Sequence, residues 1–159
     1  MLESTLLTSS RYFLHIYPKD RKTEILDDGN TKWSASTLSQ IGKATAGILK
    51  NPDQTKNRIV YCQSFLISQN DTIAALEKAS GEKWSVTRHE SKAYEREEKA
   101  KADGGDLEAV ENLVWMLGAL DADWTKKEGF AMEVLGLQEE SLEKVVRRMV
   151  EEWKGEGKM

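Results

Sequence analysis

Two histidines, His15 and His89, and one cysteine, Cys62, are all that the 159 residues offer of the side chains that most often ligate zinc or pair as nucleophile and base. They lie far apart and form no cluster with zinc-ligand spacing, so no metal centre is expected. A Ser-His-Asp or Cys-His arrangement need not be contiguous in sequence. No G-x-S-x-G elbow is present, however, and Cys62 falls inside an apolar run where it reads as a small buried hydrophobe. His89 follows a strand-like stretch and has the chemistry of a general base, although a surface or capping role is the better reading. Paired carboxylates such as Glu139-Glu140 stand at a helix start, where they complement the dipole. Gly104-Gly105 and the spaced Gly42 and Gly47 make neither a G-x-G-x-x-G turn after a strand nor a Walker lysine motif.

Aromatic residues are the more informative set. The chain carries 5 tryptophans, and tryptophan off a periodic helix face is suited to a pocket wall. Trp33 and Phe65 flank the best-marked helix and the most apolar run. Tyr94 and Trp115 come from the later helical region. A substrate pocket lined by Trp33, Phe65, Tyr94 and Trp115 is the expectation, against ordinary core packing for at least two of them.

The elements that must position these residues read as a mixed α/β succession. "KTEIL" (22–26) has strand character, "DDGN" (27–30) is turn chemistry, and "KWS" pairs back to complete a hairpin. A helix over 36–50 follows, capped by Ser34 or Ser36 and apolar at Leu38, Ile41, Thr45, Ile48 and Leu49. Asn51-Pro52 ends it. "NRIVYCQSF" predicts a buried strand over 58–64. Ser68 and Asp71 form a capping box for a helix over 69–80 that closes at Gly81. A half-buried strand over 83–88 and a charge-dense helix over 90–102 come next. An apolar helix over 107–120 is built on Leu107, Val110, Val114, Leu117 and Leu120. A last helix over 139–153 carries Leu142, Val145, Val146, Met149, Val150 and Trp153 on one side.

Length fits one domain with a real core. Lys plus Arg number 23 against 27 Asp plus Glu, for a net charge of -4. That balance gives no general attraction to nucleic acid or anionic membranes, and neither is expected as a partner. A single cysteine forms no intrachain disulfide, and the first 18 residues hold no secretory leader or membrane span. The expected location is cytoplasmic.

Three segments in order, "SASTLSQIGKA", the block from "NPDQTKNR" to "SQND", and "ALEKASGEKWSV", resemble the fungal isoflavone-reductase-like branch of the NmrA-like proteins. These are atypical short-chain dehydrogenase/reductases, and "EVLGL" with its following helix is similar to their C-terminus. The resemblance runs from about residue 20 to the end and implies a C-terminal substrate-binding half, with residues 1–20 variable. Family members open with a Rossmann half bearing the pyrophosphate glycines and a substrate-side lysine, to which nothing here corresponds. What the resemblance implies is therefore oxidoreductase descent and NAD(P) in the family, with no dinucleotide bound by this chain alone. A small metabolite of secondary metabolism is the implied substrate. Two alternatives stand beside it: a regulatory protein that binds a ligand or partner, and a cofactor-free cyclase or isomerase using groups such as His89, Tyr94 or Glu90. Loss of a packed half predicts exposed apolar surface at Leu38, Ile41, Ile48, Leu49 and "YFLHIY", covered by self-association or a protein partner.

Overall fold

The computed structural model describes residues 14–159. Strands β1 (Ile16–Tyr17), β2 (Lys22–Leu26), β3 (Trp33–Ala35), β4 (Phe65–Ile67) and β5 (Ser85–His89) alternate with helices in a mixed α/β arrangement, as expected. The helices are α1 (Leu38–Lys50), α2 (Pro52–Thr55), α3 (Gln69–Ser80), α4 (Ser91–Asp103), α5 (Leu107–Asp121) and α6 (Leu142–Gly155), with a short 3₁₀ turn at Trp124–Lys126. Tyr12 and Phe13 of the apolar "YFLHIY" cluster lie outside the described residues.

Helix signals written in the sequence are obeyed closely. The Asp71 amide donates to Ser68 Oγ at 3.1 Å while Asp71 Oδ2 accepts from the Ser68 amide at 2.8 Å, which is the capping box. Gly81 closes α3 at φ 76°, a left-handed value that glycine adopts without strain. The cap of α1 differs from expectation. Thr37 takes the position, its Oγ1 accepting from the Gln40 amide at 3.1 Å. Ser34 is buried and donates instead to Gln63 Oε1.

The expected β2–β3 hairpin does not form. β2 runs parallel to β5 and antiparallel to β1, while β3 pairs with β4 in a separate two-stranded sheet. The turn itself is present, with the Gly29 amide donating to Leu26 O at 2.9 Å and φ 74° at Gly29. Its carbonyls are claimed by α3: the Asn70 amide donates to Gly29 O, and the Asn70 side chain donates to Asp28 O and Asn30 Oδ1. The chain is led toward the start of α3 rather than back along β2.

Alternation along β2 sends side chains to two helical layers. Leu26 packs with Tyr94, Trp115 and Met116 of the α4–α5 pair. Ile16, which pairs with Thr23, packs with Leu76, Val146, Val150 and Trp153 of the α3–α6 pair. β5 is an edge strand, and Ser85–Arg88 are exposed rather than half-buried; Trp84, just before it, carries the buried contact.

Residues 58–64 are not a strand. The run is irregular, with a single bridge from Tyr61 to Phe130, and regular pairing begins only at Phe65. Two facts account for this. Ile59 is 70% exposed despite its β propensity. Gln63 and Ser64 are fully buried polar residues that satisfy their groups by individual hydrogen bonds. Glu139 and Glu140 are drawn into that network, so α6 starts later than expected and is capped by Ser141.

Two helices turn much of the face marked by their large apolar residues outward. α1 buries Gln40, Ala44 and Gly47 while Ile41 and Leu49 are exposed and Leu38 and Ile48 half-buried. The small face of α1 is packed against this chain's own residues, since a Cβ on Gly47 would lie 2.8 Å from Leu135 O. α5 buries Ala109, Trp115, Met116 and Ala119 and leaves Leu107, Val110, Val114 and Leu117 as an exposed stripe. The apolar surface expected around α1 is thus partial, and a larger share lies on α5.

The two glycines of α1 should respond in opposite ways. Nothing lies within 4 Å of a Cβ at Gly42. Gly42→Ala should stabilise the fold by about 0.5–1 kcal/mol from helix propensity. Gly47→Ala should destabilise it, because a backbone carbonyl must move. Urea unfolding of both variants checks the pair.

Candidate functional site

A cavity of about 170 Å³ opens between the two small sheets. Trp33 and Ala35 of β3 and Phe65 and Ile67 of β4 form one wall. Val114, Trp115, Gly118 and Ala119 of α5 form a second, and Leu142, Val145, Val146 and Met149 of α6 a third. The floor is the β1–β2 part of the three-stranded sheet, where Ile16, Thr23 and Glu24 reach it. An apolar, largely pre-formed concavity of this kind is the usual setting for a small-molecule site.

Of the four residues expected to line a pocket, Trp33, Phe65 and Trp115 are brought to this cavity. Tyr94 is not among its lining residues. It lies in the core behind Trp115, edge-on at 5.7 Å between ring centroids, because α4 packs on the far side of α5. The indole Nε1 of Trp33 is buried without a hydrogen-bond partner.

Sequence reasoning missed the polar centre of the site. Among the described residues, Glu24 is the one ionisable residue on the cavity wall, and both histidines of the chain converge on it. His15 Nδ1 lies 3.3 Å and His89 Nε2 3.0 Å from Glu24 Oε2, while Lys22 Nζ donates to Oε1 at 2.9 Å. The fold brings this about simply: parallel pairing sets His89 beside Leu26 at the end of β5, and His15 immediately precedes β1. His15 also stacks on Trp115 with ring centroids 3.8 Å apart. The only hint in the sequence is a charged residue, Glu24, inside a strand pattern.

Burial alone would raise the Glu24 carboxyl, but hydrogen bonds from Lys22, His15 and His89 outweigh it and hold the group at about 2. The group is a carboxylate at neutral pH. A carboxylate only accepts, so each imidazole nitrogen facing it carries a proton. Burial pushes His15 below its ordinary value, partly opposed by the bond to Glu24. A carboxylate this weakly basic is a poor proton acceptor in catalysis, where the best base titrates near the working pH. Its natural role is that of a fixed hydrogen-bond acceptor. Burial, and then the carboxylates of Glu98 and Glu24, push the Tyr94 phenol up, so it stays protonated. Burial likewise pushes the Cys62 thiol up, away from the thiolate that nucleophilic chemistry needs.

A dinucleotide pyrophosphate calls for free amides at a helix N-terminus after a glycine-rich turn. The helices that follow strands start without a glycine-rich turn, and their own side chains take part of the N-terminal amides. Thr37 caps α1, Ser68 and Asp71 cap α3, and the Glu90 carboxylate accepts from the Lys92 and Ala93 amides of α4. Two of these positions already hold an acidic side chain where a phosphate would sit. None of these three helix starts is the glycine-rich turn that receives a pyrophosphate. Among the described residues, no group of three or more His, Cys, Asp or Glu side chains is arranged to hold a metal, and no helix is long and apolar enough to cross a membrane.

Sequence comparison adds the chemical context. Over 135 residues the chain is 28% identical to oxidoreductase poxI of Penicillium oxalicum, covering 80% of this chain and 42% of that protein. Over 137 residues it is 27% identical to oxidoreductase aprR of Aspergillus flavus, covering 84% and 46% respectively. The chain is a distant homologue of proteins named oxidoreductases. It spans less than half the length of these curated relatives. No family model matches it, and no solved structure matches it significantly.

Linkage gives the site a signature in acid. The folded Glu24 carboxyl titrates near 2, below the ordinary 4.5, so its contribution is complete above pH 4.5 and lost as pH falls toward 2. Denaturant midpoints measured across pH 2–7 should show a steep acid limb in the wild type. Glu24→Gln should flatten the part of that limb between pH 4.5 and 2.

Proposed function

We propose that this chain is the substrate-binding portion of an NAD(P)-dependent reductase of the NmrA-like, isoflavone-reductase type, acting on a small apolar metabolite. The observation that carries this reading is the aromatic-walled cavity itself. It lies on a chain homologous to less than half of proteins named oxidoreductases, and the helix starts after its strands are partly taken by their own side chains. Such a unit would supply substrate recognition, while the nicotinamide cofactor would be held by polypeptide other than the residues described here. Hydride transfer is the chemistry that cofactor supplies when bound. The part left to this chain is to enclose the substrate, exclude water and present it in one orientation.

Trp33 and Trp115 report on the cavity by their fluorescence. Titration with small apolar carbonyl compounds should give saturable quenching, while NADPH alone should show no binding by calorimetry. Tight stoichiometric NADPH binding would overturn the division of labour. A chimera in which this chain replaces the matching segment of the Penicillium oxalicum relative tests the redox reading. It should consume NADPH in the presence of a quenching compound. A folded chimera that binds both molecules and leaves them unchanged would sink it.

Gly118 separates occupancy of the cavity from folding. It lies within α5, lines the cavity, and has nothing within 4 Å of a Cβ. Gly118→Leu should raise stability by roughly 0.5–1 kcal/mol, as removal of a helical glycine does. The same variant should abolish the quenching by ligands, because the new side chain fills the space they need.

A further inference from the structure

We infer that Glu24 is the specificity-determining residue of the cavity, selecting ligands that present a neutral hydroxyl donor from an apolar body and rejecting carboxylates. The inference rests on the reading that the cavity receives a small molecule. It goes further by assigning a role to the charged acceptor among the described residues of the wall.

Three other polar side chains of the wall are engaged, and the unpartnered Trp33 indole offers a donor, not an acceptor. The Thr37 hydroxyl donates to Glu140 Oε2 at 2.6 Å, and the Thr72 hydroxyl to Ser68 O at 3.1 Å. The Gln69 carbonyl accepts from the Leu26 amide at 3.0 Å. Glu24 differs because a carboxylate offers about four acceptor positions. Lys22 takes one on Oε1, and His15 and His89 take two on Oε2. One position on Oε1 is left for a ligand.

Charge decides which donor fits it. Lys22 already pairs with Glu24 at 2.9 Å, and the buried His15 is disfavoured as a cation. A second cation brought into the cavity would meet the Lys22 ammonium beside a carboxylate that is already paired. A ligand carboxylate would meet a fixed negative charge in a poorly solvated wall, which is costlier still. A hydroxyl needs no counter-charge and gains a hydrogen bond to a charged acceptor, worth about 1.5–3 kcal/mol. The histidines and Lys22 keep the carboxylate ionised and fix its orientation, so the acceptor is pre-organised before the ligand arrives.

Four matched compounds test this on the intact chain: naphthalene, 2-naphthol, 2-naphthylmethylamine and 2-naphthoate, followed at pH 7 by tryptophan quenching and calorimetry. The expected order places 2-naphthol about tenfold or more tighter than naphthalene, from the hydrogen-bond gain above. The ammonium should bind no tighter than naphthalene, and naphthoate should bind most weakly. Glu24→Gln should compress the naphthol preference to within a few fold and improve naphthoate, with naphthalene unchanged. Wild-type selectivity alone carries the test if that variant does not fold. Equal affinity for naphthalene and naphthol would overturn the role of Glu24 while leaving the cavity as a binding site. An ammonium that binds tightest would replace the hydroxyl assignment with a cation site. Failure of every compound, naphthalene included, would remove the ligand cavity and this inference together.

Discussion

Gln63 and Ser64, buried at the centre of the chain, hold together the parts that form the cavity. Gln40 Nε2 reaches across to Gln63 O at 3.1 Å and Gln138 O at 2.7 Å, joining α1 to the segment before α6. Ser34 Oγ donates to Gln63 Oε1, and Gln63 Nε2 donates to Glu139. Ser64 Oγ and Thr37 Oγ1 both donate to Glu140 Oε2 at 2.6 Å. Phe65 follows this pair directly, and β3 with Trp33 is pinned beside it by the Ser64 amide on Ala35 O. The aromatic wall is located by polar bonds rather than by a continuous sheet.

Buried polar networks cost desolvation and repay it only when every member is satisfied. This one meets that condition with uncharged donors around a carboxylate. Burial would raise Glu140, and the hydroxyls of Ser64 and Thr37 more than compensate. The Glu24 centre follows the same logic, with two imidazoles and one ammonium in place of hydroxyls. Two carboxylates are thus held ionised, Glu140 to close the fold and Glu24 on the cavity wall, facing the space a ligand would fill. Apolar replacements would match their volume but lose the directionality that sets β3, β4 and β1 relative to one another.

Apolar surface is concentrated on two helices. α1 approaches other backbone closely at Gly47, and α5 buries Ala109 and Ala119 beside Trp115 and Met116, while Ile41, Leu49, Leu107, Val110, Val114 and Leu117 are left exposed. Leu107, at 78% exposure, is the extreme case. The buried face of α5 packs on Leu26, and Trp115 spans from that core to the cavity wall. A bulkier α5 interface would move that indole away from His15 and Glu24.

Local signals determined the elements. The capping box at Ser68 and Asp71, the left-handed Gly81, the Asn51-Pro52 stop and the one-sided α6 lie within a few residues and needed no distant partner. The aromatic residues at 33, 65 and 115 were legible as candidates because their positions beside elements are local facts. Everything that depended on partners was decided by tertiary structure. The 58–64 run has strand composition, yet Gln63 and Ser64 found side-chain partners from residues 34, 37, 139 and 140, and no periodicity encodes that choice. Much of the apolar face of α1 and α5 turned outward, because the face that packs is chosen by its partners, as where Gly47 meets the Leu135 backbone. The Glu24 centre was invisible for the same reason. Three residues at positions 15, 24 and 89 meet only because β2 pairs with both β1 and β5, and strand register is a property of the assembled sheet.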